Sequence, residues 1–297
     1  MPTAAMTAPR VAALTAVAML AFAGNSLLCR LAMRDAAMDP VLFTLVRIGA
    51  AAAVLALWQG ARGRLWPVRA DLRSAIALFA YALAFSLAYV RLPAGTGALL
   101  LFGAVQVTMI GWGLWRGDAL LARQWAGLAI ALAGLLVLLL PGIGAPAPHS
   151  AVLMVLAGVA WGAYSLRGKR AADPVAATAG NFVLALPLAV TAALILGVDG
   201  GASRAGMVYA ILSGAVTSGA GYVVWYAAVR QLRPATAAAA QLSVPVIAAA
   251  GGAVMLGERL TATLLVTGLV VLGGIALISM RPGGTSMDAA ARRMRRE

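Results

Sequence analysis

Residues 40–58 read PVLFTLVRIGAAAAVLALW. At about 1.5 Å of rise per residue, a helix of this length crosses roughly 30 Å of hydrocarbon. One permanent cation, Arg47, sits near its middle. An arginine at the centre of a membrane helix costs at least about 2.5–3.5 kcal/mol, which argues against a lipid-facing side chain. The stretch therefore predicts a membrane helix with Arg47 turned toward the protein interior.

The rest of the chain repeats the first half of that pattern. Of 297 residues, 63% are hydrophobic and only 11% charged, with a mean hydropathy of +0.93. A soluble domain carries about a quarter charged residues. Apolar blocks fall near residues 9–29, 40–58, 72–90, 95–115, 124–140, 150–167, 175–197, 205–227, 235–256 and 261–280. The breaks carry charge, Pro or Gly, and none leaves room for a soluble domain. Blocks of this length in lipid must be helices, because hydrocarbon cannot satisfy an exposed backbone and barrel strands are shorter. The first block is too long for a signal peptide and lacks a clear cleavage site, so it reads as mature structure. Cys29 is the only cysteine, which excludes an internal disulfide or a multi-cysteine metal site.

The net charge of +14 reads as an orientation signal rather than a nucleic-acid footprint. If the N-terminus is cytoplasmic, 17 Lys and Arg residues fall on the inner side and 5 on the outer, with Arg47 left within a span. The positive-inside rule then predicts both termini inside, in a multi-pass membrane protein. Trp58, Trp66, Trp112, Trp115, Trp125 and Trp225 fall near the same interface, where aromatic belts sit. The tail ARRMRRE reads as a solvated, topology-fixing segment with some attraction for anionic headgroups.

The ten blocks divide into two sets of five. FAGNSL (22–27) is answered by WGAYSL (161–166), DPVLFTLVR (39–47) by DPVAATAGN (173–181), and RLPAGTGALL (91–100) by LRPATAAAAQ (232–241). GD at 117–118 is answered by GE at 257–258, and the offset stays between 134 and 141 residues. An ordered series at nearly constant offset indicates duplication. Five is odd, so the second copy runs through the membrane in the opposite sense. The expected fold is all-α and polytopic: ten transmembrane helices as two inverted five-helix repeats, residues 1–143 and 144–282, around a central cavity, with a basic tail at 283–297. Inverted repeats are a common plan of secondary transporters, with the substrate near the midplane.

Together, the ten-span plan, the Arg of the second span, the Pro-Ala starts of the fourth and ninth spans and the GD/GE ends resemble the drug/metabolite transporter superfamily, EamA type. Within it, YVRLPAGTGALLLFGAVQVTMIGWGLWRGD (89–118) and FAGNSLLCRLA (22–32) are similar to the YddG-like aromatic amino acid exporters. The resemblance covers essentially the whole chain. It implies a basket of ten helices around a cavity, and export from the cytoplasm. One departure stands out: the fourth span has Val105 and Gln106 where its repeat partner keeps Pro245, so the resemblance does not carry a symmetric proline hinge over to this chain.

Polar and aromatic side chains deep in spans are the candidates for the interior. They are Asn25 in the first span, Arg47 in the second, and Tyr81, Phe85 and Tyr89 in the third, spaced by four on one helix face. The fourth has Phe102 and Gln106; the sixth Trp161, Tyr164 and Ser165; the seventh Asn181. The eighth has Ser218, Tyr222 and Tyr226, again spaced by four; the ninth has Gln241 and Ser243. Such residues suit a small substrate that is partly aromatic and partly zwitterionic, since rings stack on rings and an ammonium sits over an aromatic face. The competing reading is packing: hydroxyls and amides join membrane helices at around 0.6 kcal/mol each. Gly158 with Gly162, and Gly113 with Gly117, form G-x-x-x-G pairs that let helices approach closely, and Pro187 and Pro245 permit bending.

All nine acidic residues map to loops, span ends or the tail. Arg47 therefore lacks an obvious intramembrane carboxylate. The expectation is that carbonyls and hydroxyls of neighbouring helices hold it, with direct contact to a substrate carboxylate as the sharper alternative. His149, the sole histidine, falls in a predicted loop, so no buried proton relay is visible and facilitated export is expected. No metal site, cofactor motif or catalytic constellation is legible, which argues against an enzyme. The partners expected are a small-molecule substrate and the lipid bilayer, with no nucleic acid. The alternatives are a broader drug or metabolite exporter and a non-transporting membrane scaffold.

Overall fold

A computed structural model describes residues 6–63, 70–117, 119–140, 146–168, 171–198, 203–232 and 234–279. The expected tail, Trp66 and Asp118 lie outside the described residues. Helices cover ten spans: α1 (Ala8–Arg34), α2 (Pro40–Gly60), α3 (Leu72–Tyr89), α4 (Ala94–Trp115), α5 (Ala122–Leu139), α6 (Pro148–Gly168), α7 (Pro174–Leu196), α8 (Arg204–Val229), α9 in two pieces (Pro234–Gln241 and Ser243–Leu256) and α10 (Ala262–Ser279). All ten are long and apolar enough to cross a membrane, and no strand occurs among the described residues.

The helices start where short side chains satisfy their free amides. Asp39 accepts from the amides of Val41 and Leu42, both at 2.8 Å, with Pro40 preset at the first helical position. Asp71 caps α3, Asp173 caps α7 and Ser203 caps α8 in the same way. The aspartates expected at span ends thus serve the helices themselves. His149 lies in the first turn of α6 rather than in a loop, because Pro148 begins that helix.

Three elements depart from the expected pattern. α1 continues past residue 29 to Arg34, since Arg30 and Arg34 both find partners on other helices. In α8 the middle stretch, Ser213–Ala220, is π-helical. α9 breaks at Leu242, where the ring of Pro245 conflicts with the carbonyl four residues before it.

The principal interfaces obey a two-fold rule. α3 packs on α6, and α8 on α1; α4 packs on α6, and α9 on α1; α3 packs on α7, and α8 on α2. Adding five to each label exchanges the members of each pair. The remaining large contacts, α2 with α7, α4 with α9 and α5 with α10, map onto themselves. Direction inverts as well. The C-terminus of α1 lies at the same end of the bundle as Leu256, whereas the C-terminus of α6 lies beside the start of α3 at the other end. The two halves interdigitate instead of forming separate bundles.

Small residues set the closest approaches. A Cβ on Gly158 would lie 2.6 Å from the carbonyl oxygen of Leu101, and one on Gly162 would meet Thr108 at 2.9 Å, so this G-x-x-x-G joins α6 to α4. The second expected pair does not do so. Gly117 lies beyond the end of α4 with φ +91° and open space around it; its role is to turn the chain, not to pack. Trp225, expected at an interface, is buried against Phe22, with ring centroids 5.7 Å apart. Trp115 and Trp125 are exposed, as belt residues should be.

α5 and α10 meet backbone to backbone: a Cβ on Gly274 would lie 2.6 Å from both the Gly127 carbonyl oxygen and the Ala131 amide nitrogen. Gly274→Val is expected to cost about 1–3 kcal/mol through overpacking, read as a lower melting temperature in detergent. The neighbouring Gly273→Val, which meets no atom within 4 Å, should leave it unchanged.

Candidate functional site

The site begins with Arg47. Its position seven residues into α2 faces it toward α3 and α8, and it is 1% exposed. The Nε donates to the Ser218 hydroxyl at 3.2 Å and Nη2 to the Tyr81 hydroxyl at 3.1 Å. The guanidinium carbon lies 5.1 Å from the ring centroids of both Tyr81 and Phe85. Hydroxyls and aromatic faces therefore carry the charge, where carbonyls as well as hydroxyls were expected. Nη1 is buried without a hydrogen-bond partner.

Around it runs a polar network that joins three helices. Asn25 donates to Tyr81 Oη at 3.2 Å and accepts from Ser213 at 2.7 Å and Thr217 at 3.3 Å. Nothing in the sequence marks Ser213 and Thr217 as members of this network. Both belong to the π stretch, where residues spaced by four drift off the face that a 3.6-residue period assigns them. Gly214 lets that stretch lie against α2, since a Cβ there would overlap the Arg47 carbonyl oxygen.

Aromatic rings form a layer beside this network. Trp161 meets Tyr81 at 4.9 Å, Tyr222 at 5.2 Å and Tyr164 at 5.4 Å, and Tyr222 meets Phe22 at 6.0 Å. A small void of about 20 Å³ is enclosed by Phe22, Asn25, Tyr81, Phe102, Trp161 and Tyr222, among others. On the other side of the layer lies a cavity of about 1180 Å³, open at the end where α2, α4 and α6 finish. Its lining includes Ser74, Thr108, Trp112, Trp115, Arg167 and Asn181.

The opposite end of the bundle is shut. Arg30 Nε pairs with Glu258 at 3.0 Å, both side chains about nine-tenths buried, and Arg30 Nη1 donates to the carbonyls of Tyr89 and Val90. The second Glu258 oxygen accepts from the Ala94 amide at 2.8 Å, capping α4 from a different helix hairpin. The sequence marks Glu258 only as the end of a span. Gly257, at φ +63°, ends α9 in a left-handed turn immediately before it.

The candidates from the sequence thus separate. Asn25, Tyr81, Phe85, Phe102, Trp161 and Tyr222 converge on the small void; Asn181 lines the large cavity, where its side chain accepts from the Asp71 amide at 3.0 Å. Arg47 and Ser218 belong to the network alongside. Tyr89 donates to the Ala94 carbonyl near the shut end, and Tyr164 to Thr178. Gln106, Ser165, Tyr226, Gln241 and Ser243 line neither chamber; Ser243 is satisfied locally by the Ala240 carbonyl at the break in α9.

Comparison with known proteins agrees with this architecture. The model of the EamA-like transporter family matches residues 149–280. An uncharacterized protein of Pseudomonas aeruginosa is 53% identical over 274 residues, 91% of this chain and 94% of that protein. A probable terminal-alkyne amino-acid exporter of Streptantibioticus cattleyicolor is 29% identical over 259 residues, 83% of this chain and 86% of that one. One solved crystal structure superposes with a TM-score of 0.67 at 18% identity, covering 92% of this chain and 98% of that chain, which shows a shared fold.

Two measurements check the site's geometry. Tyr81→Phe removes the acceptor shared by Arg47 and Asn25, leaving buried donors unpaired. A loss of about 1–3 kcal/mol in unfolding free energy is expected, larger than for Phe85→Leu. At the cavity mouth, hydrogen bonds from Ser74 and then Arg167 hold the Asp71 carboxyl below its ordinary value. A lowered carboxyl stabilises the fold above the unfolded-state value of about 3.9 and loses that contribution as pH falls further. The pair is half exposed, so about 0–1 kcal/mol is at stake. The melting temperature of Asp71→Asn should lie below wild type at neutral pH, and the two should converge below about pH 4.

Proposed function

Since the chain belongs to the EamA-like transporter family, we propose that it is a secondary transporter. It exports amino acids, aromatic ones favoured, or related small amphipathic metabolites across the bacterial inner membrane. The observation that carries this reading is the one-sided access. A cavity large enough for an amino acid opens at one end and stops at an aromatic layer, while the Arg30–Glu258–Ala94 cluster closes the other end. That is one state of an alternating-access cycle. The open end carries Arg62, Arg116 and Arg167, so the positive-inside rule makes it cytoplasmic, with both termini inside.

The rings of Tyr81, Phe102, Trp161 and Tyr222 favour an aromatic side chain, and the resemblance of the sequence to an amino-acid exporter supports the substrate class. No Asp, Glu or His lies beside Arg47 or the void among the described residues. Export is therefore facilitated, driven by the substrate's own gradient, since no carboxylate among the described residues reaches the central network to carry a proton. The same rings admit other flat amphipathic metabolites, which makes a broader drug or metabolite exporter the second reading.

Purified protein in liposomes tests the proposal. Radiolabelled tryptophan or phenylalanine should move down its gradient, be inhibited by the other, and continue after the proton gradient is collapsed. Loss of flux on collapse would refute the facilitated mechanism. Absence of any substrate-dependent flux would favour a scaffold. Glu258→Gln, which loosens the shut end, should raise labelling of an introduced cysteine at residue 93 by a membrane-impermeant reagent from outside the cell.

A further inference from the structure

Arg47 is 1% exposed, carries a permanent charge, and makes hydrogen bonds through Nε and Nη2 to two hydroxyls. Neutral hydroxyls do not balance a buried cation; a carboxylate does. Every carboxylate among the described residues is engaged at a helix end: Asp35 with Arg34, Asp39 at the start of α2, Asp71 with Arg167 and Ser74, Asp173 at the start of α7, and Glu258 with Arg30. Nη1 remains a buried donor with no acceptor. Leaving such a donor unmet costs more than a neutral orphan, because the group is charged.

The surroundings show what would meet it. Tyr81 and Phe85, whose faces hold the guanidinium, are also walls of the enclosed void, together with Asn25 and Tyr222. The void of about 20 Å³ has room for about one water-sized probe. Trp161 stands between it and the open cavity, as the cavity-facing residues of α6, Ala163 and Leu166, follow it along the helix. Parting Trp161 from Tyr81 and Tyr222 would join the two chambers and bring a ligand to the arginine.

We infer that Arg47 Nη1 anchors the carboxylate of the transported molecule, and that this site requires a carboxylate but no ammonium. That the anchored molecule is transported rests on the exporter reading; the anchor does not. A fixed cation is present in the central network, and no fixed anion among the described residues faces it. An ammonium would be offered only ring faces and neutral oxygens. Aryl carboxylates that lack an amine therefore bind, and aryl amines that lack a carboxylate do not. Arg47 acts as the specificity-determining residue, and the rings supply stacking affinity for the aryl group that all three ligands share.

The experiment uses the full-length purified protein and three ligands with the same ring: L-tryptophan, indole-3-propionate and tryptamine. Binding is read as thermal stabilisation in detergent. Tryptophan and indole-3-propionate are expected to raise the melting temperature to similar extents, and tryptamine to leave it unchanged. In Arg47→Gln the carboxylate dissociation constants should rise about 10- to 100-fold, the loss of a hydrogen bond to a charged group, and Arg47→Lys should fall between. Stabilisation by tryptamine as strong as by indole-3-propionate would overturn the inference, as would no stabilisation by either carboxylate. If Arg47→Gln does not fold, the three-ligand comparison on the unaltered protein decides alone. Stabilisation by indole-3-propionate without amino-acid flux in liposomes would sink the exporter reading and leave this one standing. Tryptophan flux inhibited equally by tryptamine and indole-3-propionate would do the reverse.

Discussion

A guanidinium buried among helices without a carboxylate is the constraint around which the molecule is arranged. Arg47 requires α3 to present Tyr81 and Phe85 on one face and α8 to present Ser218 against it. The π stretch of α8 meets that demand, turning Ser213 and Thr217 toward Asn25 and Ser218 toward Arg47. In hydrocarbon, a single unmet polar group weighs as much as several good packing contacts. The network therefore fixes the relative placement of α1, α2, α3 and α8. The aromatic layer then follows, because Tyr81 is a member of both.

The interdigitation of the halves gives this centre its access properties. The interfaces that pair α3 with α6 and α8 with α1 are related by the two-fold, yet one end is open and the other shut. At the shut end, Glu258 bridges Arg30 and the first amide of α4, so three spans meet at one carboxylate. At the open end the ties are exposed and weak, as at Asp71 and Arg167. The two ends thus differ in how deeply their ion pairs are buried.

Much of this was legible in the sequence, for identifiable reasons. Arg47 announces itself because a cation in an apolar run has few alternatives, and the Tyr81–Phe85 stripe because a regular helix repeats every four residues. The ten spans follow from bilayer thickness. Ser213 and Thr217 were hidden by the change of helical period, which no local residue signals. Glu258 was hidden because its position at a span's end says nothing of the Gly257 turn that folds it back onto α4. Ser243 shows the opposite ambiguity: a polar residue at a helix break can satisfy the break itself, as its bond to the Ala240 carbonyl does, and depth in a span does not distinguish that use from a ligand contact.

The π stretch bears on the whole of the proposed cycle. It occurs in α8, whereas α3, its repeat partner, is an ordinary α-helix; the buried cation belongs to α2, and α7 has Asn181 at the matching place. Perfectly equivalent halves would make the two states of the proposed cycle two-fold-related and equal in free energy. These halves differ at their most costly points, so in the proposed cycle the balance between the states would be tilted by the polypeptide alone, before any solute or gradient acts on it.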